Sequence, residues 1–223
     1  MKKIITTLSF AFLMAMGLVN SASAISLSGL GIGVSAAHGG FYGEGTEDEE
    51  TAEAGTDDTT EAGAFVANFG SVFVEYDLGP IRLGVDYIPN AIETPKNKNV
   101  QGSLTNTVMA EFENHTTAYA ILPVPFLSYG DGGAYLKAGL REATVETNEN
   151  LGTGGSYGDV EVQGWTAGVG YQIDGENGLS FRLEATATEW DDVTSTNDAD
   201  TSTKVKITDM MSASATVSIL KTF

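Results

Sequence analysis

The feature that most constrains this chain is strict alternation of apolar and polar residues along several segments. Successive side chains of a β-strand point to opposite faces, so this alternation predicts strands with one apolar and one polar face. Five segments show it clearly, at residues 81–87, 134–141, 165–173, 179–188 and 211–219. Three further strands are predicted at 30–35, 72–76 and 108–122.

The register of the segment 108–122 stays open, because Asn114 and Thr116 interrupt its alternation. One of its faces is expected to carry Val108, Ala110, Phe112, Ala118, Ala120 and Leu122, and the other Glu111, Glu113, His115 and Tyr119.

The connections between these strands alternate between short and long. Compact turns are predicted at 77–80 and 174–178, with a longer one at 123–133, from residue types that favour turns. Polar loops are predicted near 44–62, 90–106, 146–158 and 191–203. Eight strands with short turns at one end and long loops at the other predict an all-β fold, an antiparallel up-and-down transmembrane β-barrel.

The first 24 residues have the organisation of a cleaved secretory signal peptide. Lys2 and Lys3 precede an apolar stretch at 4–19, and small residues at 21–24 form a cleavage site. We therefore expect residues 1–24 to be removed and residues 25–223 to form the barrel. No later apolar run is long enough for a transmembrane helix, so a membrane crossing requires strands in a closed barrel.

Composition excludes several classes of protein. The net charge is −19, and it becomes −21 without Lys2 and Lys3, so a nucleic-acid partner is not expected. The chain contains no cysteine, which excludes structural disulfides and a lipidated cysteine anchor.

The distribution of charges distinguishes a membrane barrel from a water-soluble one. A lone basic group near the bilayer midplane costs about 2–4 kcal/mol, so charges on the non-apolar columns are expected to face the lumen. There they can pair and block a narrow barrel. This predicted lumen network consists of Glu75, Arg82, Asp86, Glu111, Glu113, His115, Lys137, Arg141, Arg182 and Glu184.

Aromatic residues near the ends of the predicted strands suggest the girdles that flank the apolar band of membrane barrels. Ordinary core aromatics are the alternative. With a periplasmic N-terminus, the external girdle contains Tyr87 and Trp165, and the periplasmic girdle contains Tyr76, Tyr171 and Phe223.

Two segments near the C-terminus resemble the OmpA/OmpX-like outer-membrane barrels, in particular the single-domain porin-family and surface-antigen proteins. The glycine-rich strand at 164–173 and the alternating strand at 179–185, with Arg182 and Glu184, resemble the family's penultimate hairpin. The terminal Phe223, preceded by Val217 and Ile219, resembles the signal read by the outer-membrane assembly machinery. Lys221 departs from the usual apolar residue of that signal, and a lysine at the rim can snorkel to the headgroups.

The resemblance implies a protein of the Gram-negative outer membrane, exported through the periplasm, with lipid and lipopolysaccharide as partners. It also implies that the peptidoglycan-binding domain of full OmpA-type proteins is absent.

Few residues suggest chemistry. The run 44–61 contains nine carboxylates without a basic residue and could gather divalent cations weakly, but its spacing matches no calcium loop. A solvated surface loop is the favoured interpretation. Neither His115 nor His38 has an evident nucleophile beside it. We therefore predict no catalytic residue, cofactor or specific metal site.

Three functions remain open. The favoured one is a structural or surface-binding barrel that acts through acidic external loops, because loops on a rigid scaffold commonly carry recognition. The second is a narrow channel for ions or small solutes, although eight strands leave a lumen that side chains nearly fill. The third is a lipid-modifying enzyme, which would need His115 against a serine or threonine at the lipid boundary. The sequence does not identify the ligand or the oligomeric state.

Overall fold

A computed structural model describes residues 28–49, 59–101, 104–150 and 155–223. The predicted signal peptide at 1–24 and the middle of the acidic run lie outside these residues. The strands are β1 (Leu30–Glu49), β2 (Thr59–Asp77), β3 (Arg82–Tyr87), β4 (Ile92–Glu93), β5 (Asn97–Gln101), β6 (Leu104–Tyr129), β7 (Gly132–Asn150), β8 (Val160–Asp174), β9 (Leu179–Trp190), β10 (Val193–Thr196) and β11 (Thr203–Thr222). Within the described ranges, no helix has the length and apolar character needed to cross a membrane.

These strands form one closed antiparallel ring. Around the ring the strands pair in the order β1, β2, β3, β6, β7, β8, β9 and β11, and β1 pairs with β11 from Gly31↔Thr222 to Glu49↔Thr203, which closes the sheet. Three short strands, β3, β4 and β5, all pair with β6 and act as one interrupted strand. β9 and β10 both pair with β11 and act as another. The ring therefore has eight positions, and the predicted all-β, antiparallel barrel is confirmed.

Most strands are longer than predicted. β1 and β2 continue into the predicted loop at 44–62, and β7 continues to Asn150 within the predicted loop at 146–158. β4, β5 and the start of β6 occupy much of 90–106, and β10 lies within 191–203. Backbone pairing persists there although the side chains are polar, because strands that have left lipid no longer need an apolar outer face.

The predicted turn at 123–133 is also shorter than expected. β6 continues to Tyr129 and β7 begins at Gly132. The pairing jumps from Val124↔Ala134 to Ser128↔Gly133, so residues 125–127 form a bulge on β6. Pro125, which was assigned to a turn, therefore lies in a bulge within β6.

The predicted apolar columns face outward around the lower part of the barrel, the part nearest the short turns. Their exposed residues form a belt, hereafter the outer belt, that includes Ile32, Val34, Val72, Leu136, Leu140, Trp165, Val169, Phe181, Leu183, Val217 and Ile219. The inward face carries charged and polar side chains such as Glu75 and Arg182, together with buried aromatic side chains such as Tyr119 and Tyr135. This arrangement is the reverse of a water-soluble protein and matches a barrel surrounded by lipid.

Above the outer belt the polarity of the two faces reverses. On β7, Leu140 faces outward, whereas Ala143 and Val145 are buried inside against Val162 of β8. The reversal on β6 coincides with a bulge at Asn114, which has a φ of 54°, and that on β11 with Asp209, which has a φ of 50°. The upper barrel therefore has an apolar interior and a polar exterior, as expected where the strands emerge into water.

Candidate functional site

The lower lumen is organised around the carboxylate of Glu75, whose residue is 0% exposed. Arg182 donates two hydrogen bonds to it, from Nη1 to Oε1 and from Nη2 to Oε2, each 2.5 Å long. The Tyr119 hydroxyl donates a third of 2.7 Å, and Arg82 Nη1 lies 3.5 Å from Oε2. Gln172 accepts hydrogen bonds from both arginines and fixes their planes. The alternation of β2, β3, β6, β8 and β9 directs these groups inward, so five strands contribute to one ionic cluster.

A second ionic cluster surrounds Glu184 on the same strand as Arg182. Lys137 Nζ donates to its Oε1 at 2.8 Å, and the Tyr135 hydroxyl donates to its Oε2 at 2.9 Å. The same ammonium group lies 4.1 Å from the centroid of the Tyr119 ring. Lys137 therefore joins the Glu75 cluster to the Glu184 cluster.

Asp86 and Arg141 lie beside these clusters without a direct ion pair. Ser71 donates a 2.5 Å hydrogen bond to Asp86 Oδ2 and is itself hydrogen-bonded to Ser35, while Arg141 Nε donates to Thr117. The space between these groups has a volume of only about 30 Å³. That volume holds about two water molecules, so the lower lumen is nearly filled.

Three aromatic side chains in this layer fit over glycines of the neighbouring strand. Tyr119 is paired with Gly84, Tyr135 with Gly170, and Phe73 with Gly33. A Cβ placed on Gly170 would lie 2.2 Å from the Tyr135 ring, and one on Gly33 would lie 2.2 Å from the Phe73 ring. The predicted network missed Tyr119, Tyr135 and Gln172 as partners, although glycines opposite inward aromatics were a usable signal.

The upper lumen is closed by a layer of apolar side chains. Its buried core consists of Ala143, Val145, Val162, Trp190, Val193 and Met210, with Phe112 packed against it. Phe112 also stacks near Phe65, which stacks on Phe41 at a centroid distance of 4.9 Å. An apolar layer of this kind excludes water. The described part of the lumen therefore contains two chemically different packed layers.

His115 lies at the boundary between the two layers. It is 2% exposed, and its ring meets Trp190 edge-on at 6.0 Å and lies 6.3 Å from Phe112. Within the described part of the chain neither ring nitrogen has a hydrogen-bond partner. Among the residues that the structure describes, no serine or threonine hydroxyl is hydrogen-bonded to the ring as a nucleophile would be.

The prediction that Glu111 and Glu113 line the lumen is wrong. Phe112 faces inward, so the two glutamates alternate to the outer face, where Asn148 donates a hydrogen bond to Glu111. The bulge at Asn114 reverses the alternation, and His115 faces inward although Glu113 does not. The structure places the remaining predicted lumen residues on the inner face of the barrel.

The predicted girdle residues lie on the outer face. Trp165 is 70% exposed, Tyr87 and Phe223 are also exposed, and Tyr76 and Tyr171 are partly buried. The prediction omitted the two most exposed aromatics, Phe126 at 85% and Tyr129 at 89%, because they lie in the segment that was assigned to a turn. Contact between the predicted girdle residues and lipid stays a prediction.

Carboxylates dominate the outer face above the outer belt. Glu146 lies close enough to Asp159, Glu113 and Glu111 that their negative charges raise its pKa above the usual glutamate value. We refer to these four residues as the acidic wall. Of the predicted acidic run at 44–61, only 44–49 and 59–61 are described. No group of three or more potential ligands with metal-binding geometry occurs in the residues that the structure describes.

Comparison with known proteins gives structural but not sequence matches. No family model matches the chain, and no curated protein sequence matches it. Among solved structures, the outer membrane protein OprG from Pseudomonas aeruginosa is similar at a TM-score of 0.59 and 9% identity, covering 88% of this chain and 98% of that one. Neisserial surface protein A has a TM-score of 0.46 and 16% identity, with the same coverage of both chains.

The similarity to OprG extends along nearly the whole of both chains and, at this level of identity, concerns the fold. It agrees with the closed antiparallel ring of eight strand positions described above. The chain accordingly has the OmpA/OmpX-like fold, a closed antiparallel β-barrel of eight strand positions.

Proposed function

We propose that this protein is a closed barrel of the outer membrane that acts at the cell surface, through its external wall and loops, as a structural or binding protein. The observation that supports this proposal is the doubly blocked lumen. The Glu75 and Glu184 clusters fill the lower half, and the apolar layer around Trp190 fills the upper half. A barrel without a passage has its walls and loops as its accessible surfaces.

The external surface has a definite chemical character. The acidic wall is formed by neighbouring strands β6 and β7 and by the residue preceding β8, with Glu111 paired directly to Glu146. Repulsion among these carboxylates raises the pKa of Glu146. Such a surface favours cationic partners, and the affinity for them decreases with salt because exposed charges are screened. Weak gathering of divalent cations by the acidic run at 44–61, which would connect the protein to lipopolysaccharide, stays a prediction.

We further propose that the protein is exported through the periplasm and inserted by the assembly machinery through its terminal Phe223. Phe223 N donates a hydrogen bond to the Leu30 carbonyl, and Gly29 N donates to the Phe223 carbonyl. The last residue therefore takes part in closing the barrel. Deletion of Phe223 should reduce insertion into the outer membrane while leaving synthesis of the chain intact.

Channel and enzyme functions are less well supported. Conduction would require the apolar layer to open, because the lower cavity of about 30 Å³ is lined by no residue of that layer. Catalysis by His115 would require a reacting partner, and the ring instead lies between Phe112 and Trp190.

Planar-bilayer recording tests the closed lumen. The purified barrel should show no stable conductance across a lipid bilayer, and stable openings of the size expected for a porin would refute the proposal.

Binding of a ten-residue oligolysine peptide tests the acidic wall. The triple variant Glu111→Gln, Glu113→Gln, Glu146→Gln should bind the peptide about ten-fold more weakly than wild type, a change of about 1.4 kcal/mol. Asp174→Asn with Glu176→Gln removes charge at the opposite end of the barrel and serves as the control. Equal weakening by both sets would show that net charge, rather than this surface, attracts the peptide.

A further inference from the structure

A shallow groove crosses the outer belt, outside the lumen. Its volume is about 610 Å³, and its floor is made by small residues of three adjacent strands: Ala36 of β1, Gly70 of β2 and Ala215 of β11. Leu183 of β9 borders it on one side, and the connection between β3 and β4 at Asn90 and Ala91 borders it on the other. A groove of this shape accommodates an extended hydrocarbon chain better than a flat barrel wall does.

The border at Asn90 exists because the strand at the third position of the ring is interrupted. β3 pairs with β2 only from Val72↔Tyr87 to Asp77↔Arg82, and β4 pairs with β6. The connecting residues therefore leave the plane of the wall beside Gly70. This irregularity turns a shallow depression between strands into a bordered groove.

Two polar side chains lie inside this otherwise apolar region. His38 Nδ1 and Asn68 Oδ1 are 2.8 Å apart on paired residues of β1 and β2, and both side chains are exposed on the outer face. The amide oxygen can only accept, so the His38 Nδ1–H donates. Asn68 Nδ2 and His38 Nε2 then remain free within the described part of the chain, one as a donor and the other as an acceptor.

Tyr42 gives a reference point for the depth of this pair in the membrane. It lies four residues further along β1, and its hydroxyl donates to Glu44 at the water side. Four strand residues span about 13 Å, or about 10 Å along the barrel axis at the usual tilt of the strands. The pair thus lies within the outer-leaflet half of a belt about 25 Å tall. Free donors and acceptors at that depth are costly unless a lipid supplies the partner.

We propose that this groove, defined by Ala36, His38, Asn68, Gly70 and Ala215, binds one acyl chain of lipopolysaccharide from the outer leaflet. The hydrocarbon lies along Ala36, Gly70 and Ala215, and an ester or hydroxyl oxygen near the top of the chain bonds to the free groups of His38 and Asn68. The groove is continuous with the lipid-facing outer belt, which is why a lipid is the occupant. The proposal rests on the membrane orientation given above and is independent of the acidic wall.

Native mass spectrometry of the folded barrel in non-ionic detergent tests the proposal, with purified lipopolysaccharide as the probe. Wild type should retain one lipopolysaccharide molecule. The groove-filling variant Ala215→Leu and the apolar pair His38→Leu with Asn68→Leu should each weaken retention about ten-fold. Ala138→Leu, an outward and exposed alanine of β7 away from the groove, should bind as wild type does.

Several results would overturn the proposal. One is equal retention by the groove variants and Ala138→Leu, and another is equal retention of phosphatidylethanolamine and lipopolysaccharide by wild type. Cross-linking of an Ala36→Cys variant to a second copy of the chain would assign the groove to a barrel–barrel contact instead. Each variant is first checked for the heat-dependent gel mobility of a folded barrel, so that loss of folding is not mistaken for loss of binding. Oligolysine binding by the groove variants should be unchanged, which separates a failure of this proposal from a failure of the proposed surface function.

Discussion

Replacing Arg182 by methionine tests the energetic role of the Glu75 cluster. The substitution removes both 2.5 Å hydrogen bonds to Glu75 and leaves a fully buried carboxylate. Breaking a buried ion pair in this way typically costs about 3–5 kcal/mol. The Tyr119 hydroxyl and Arg82, 3.5 Å away, still contact the carboxylate. We therefore expect Arg182→Met to lower the free energy of unfolding by about 3 kcal/mol, the lower end of that range.

Replacing both Glu75 and Arg182 should lower the free energy of unfolding less than replacing Arg182 alone. The double variant Glu75→Leu, Arg182→Met no longer leaves a buried charge unpaired, and an apolar replacement of a buried ion pair is often close to neutral. We expect the double variant to recover about 2 kcal/mol relative to Arg182→Met. The exposed pair between Lys206 and Asp192, separated by 3.4 Å, is the control, and Asp192→Asn should cost less than about 1 kcal/mol.

Urea unfolding of the barrel in phosphatidylcholine vesicles measures these differences. The two tryptophans, Trp165 in the outer belt and Trp190 in the apolar layer, report on lipid exposure and on interior packing. A cost of Arg182→Met no larger than that of Asp192→Asn would refute the reasoning. A double variant as unstable as the sum of its single changes would also refute it, because the two side chains would then not be coupled.

Three further outcomes are expected. Gly170→Ala should destabilise the barrel by about 1–3 kcal/mol in the same urea assay, because the new methyl group overlaps the Tyr135 ring, and an unchanged midpoint would contradict that packing. His115→Leu should raise stability by about 1–3 kcal/mol, because it removes a buried imidazole whose nitrogens have no hydrogen-bond partner among the described residues. A loss of similar size would show that the imidazole has a partner in the folded protein. The carboxyl of Glu146 should titrate by NMR above pH 4.5, and the folded state should gain relative stability as pH falls through that pKa, because protonation removes repulsion. Glu113→Gln should lower the titration midpoint of Glu146, and a midpoint below 4.5 in wild type would contradict the raised pKa.

The sequence predicted the architecture well because one physical rule governs most of it. In the outer belt every second side chain faces lipid and must be apolar, so segments such as 179–188 alternate clearly between apolar and polar residues. The strand β9 accordingly spans Leu179–Trp190. Where strands leave lipid that rule ends, and β1 and β7 continue through polar segments that were assigned to loops.

The pairing inside the lumen could not be predicted in the same way. Alternation placed Glu75 and Arg182 on inward columns, but their contact joins residues 107 positions apart. That contact depends on the tilt and stagger with which the barrel closes, which are properties of the whole ring. The register around Asn114 stayed open in the sequence for a related reason. A residue with positive φ exchanges the two faces of a strand only if the strand continues to pair on both sides of it, and that pairing is not visible in the sequence.

The reversal of polarity between Leu140 and Ala143 marks the boundary between lipid and water on the barrel wall. Displacement of the barrel towards the periplasm would move Glu142, Glu161 and the acidic wall into hydrocarbon. Displacement in the opposite direction would move Leu140 and Trp165 into water. Both displacements are unfavourable, so the vertical position of the molecule is fixed by its own sequence without any partner. Loops attached above this line are held at a constant height over the lipid headgroups, whatever they contact.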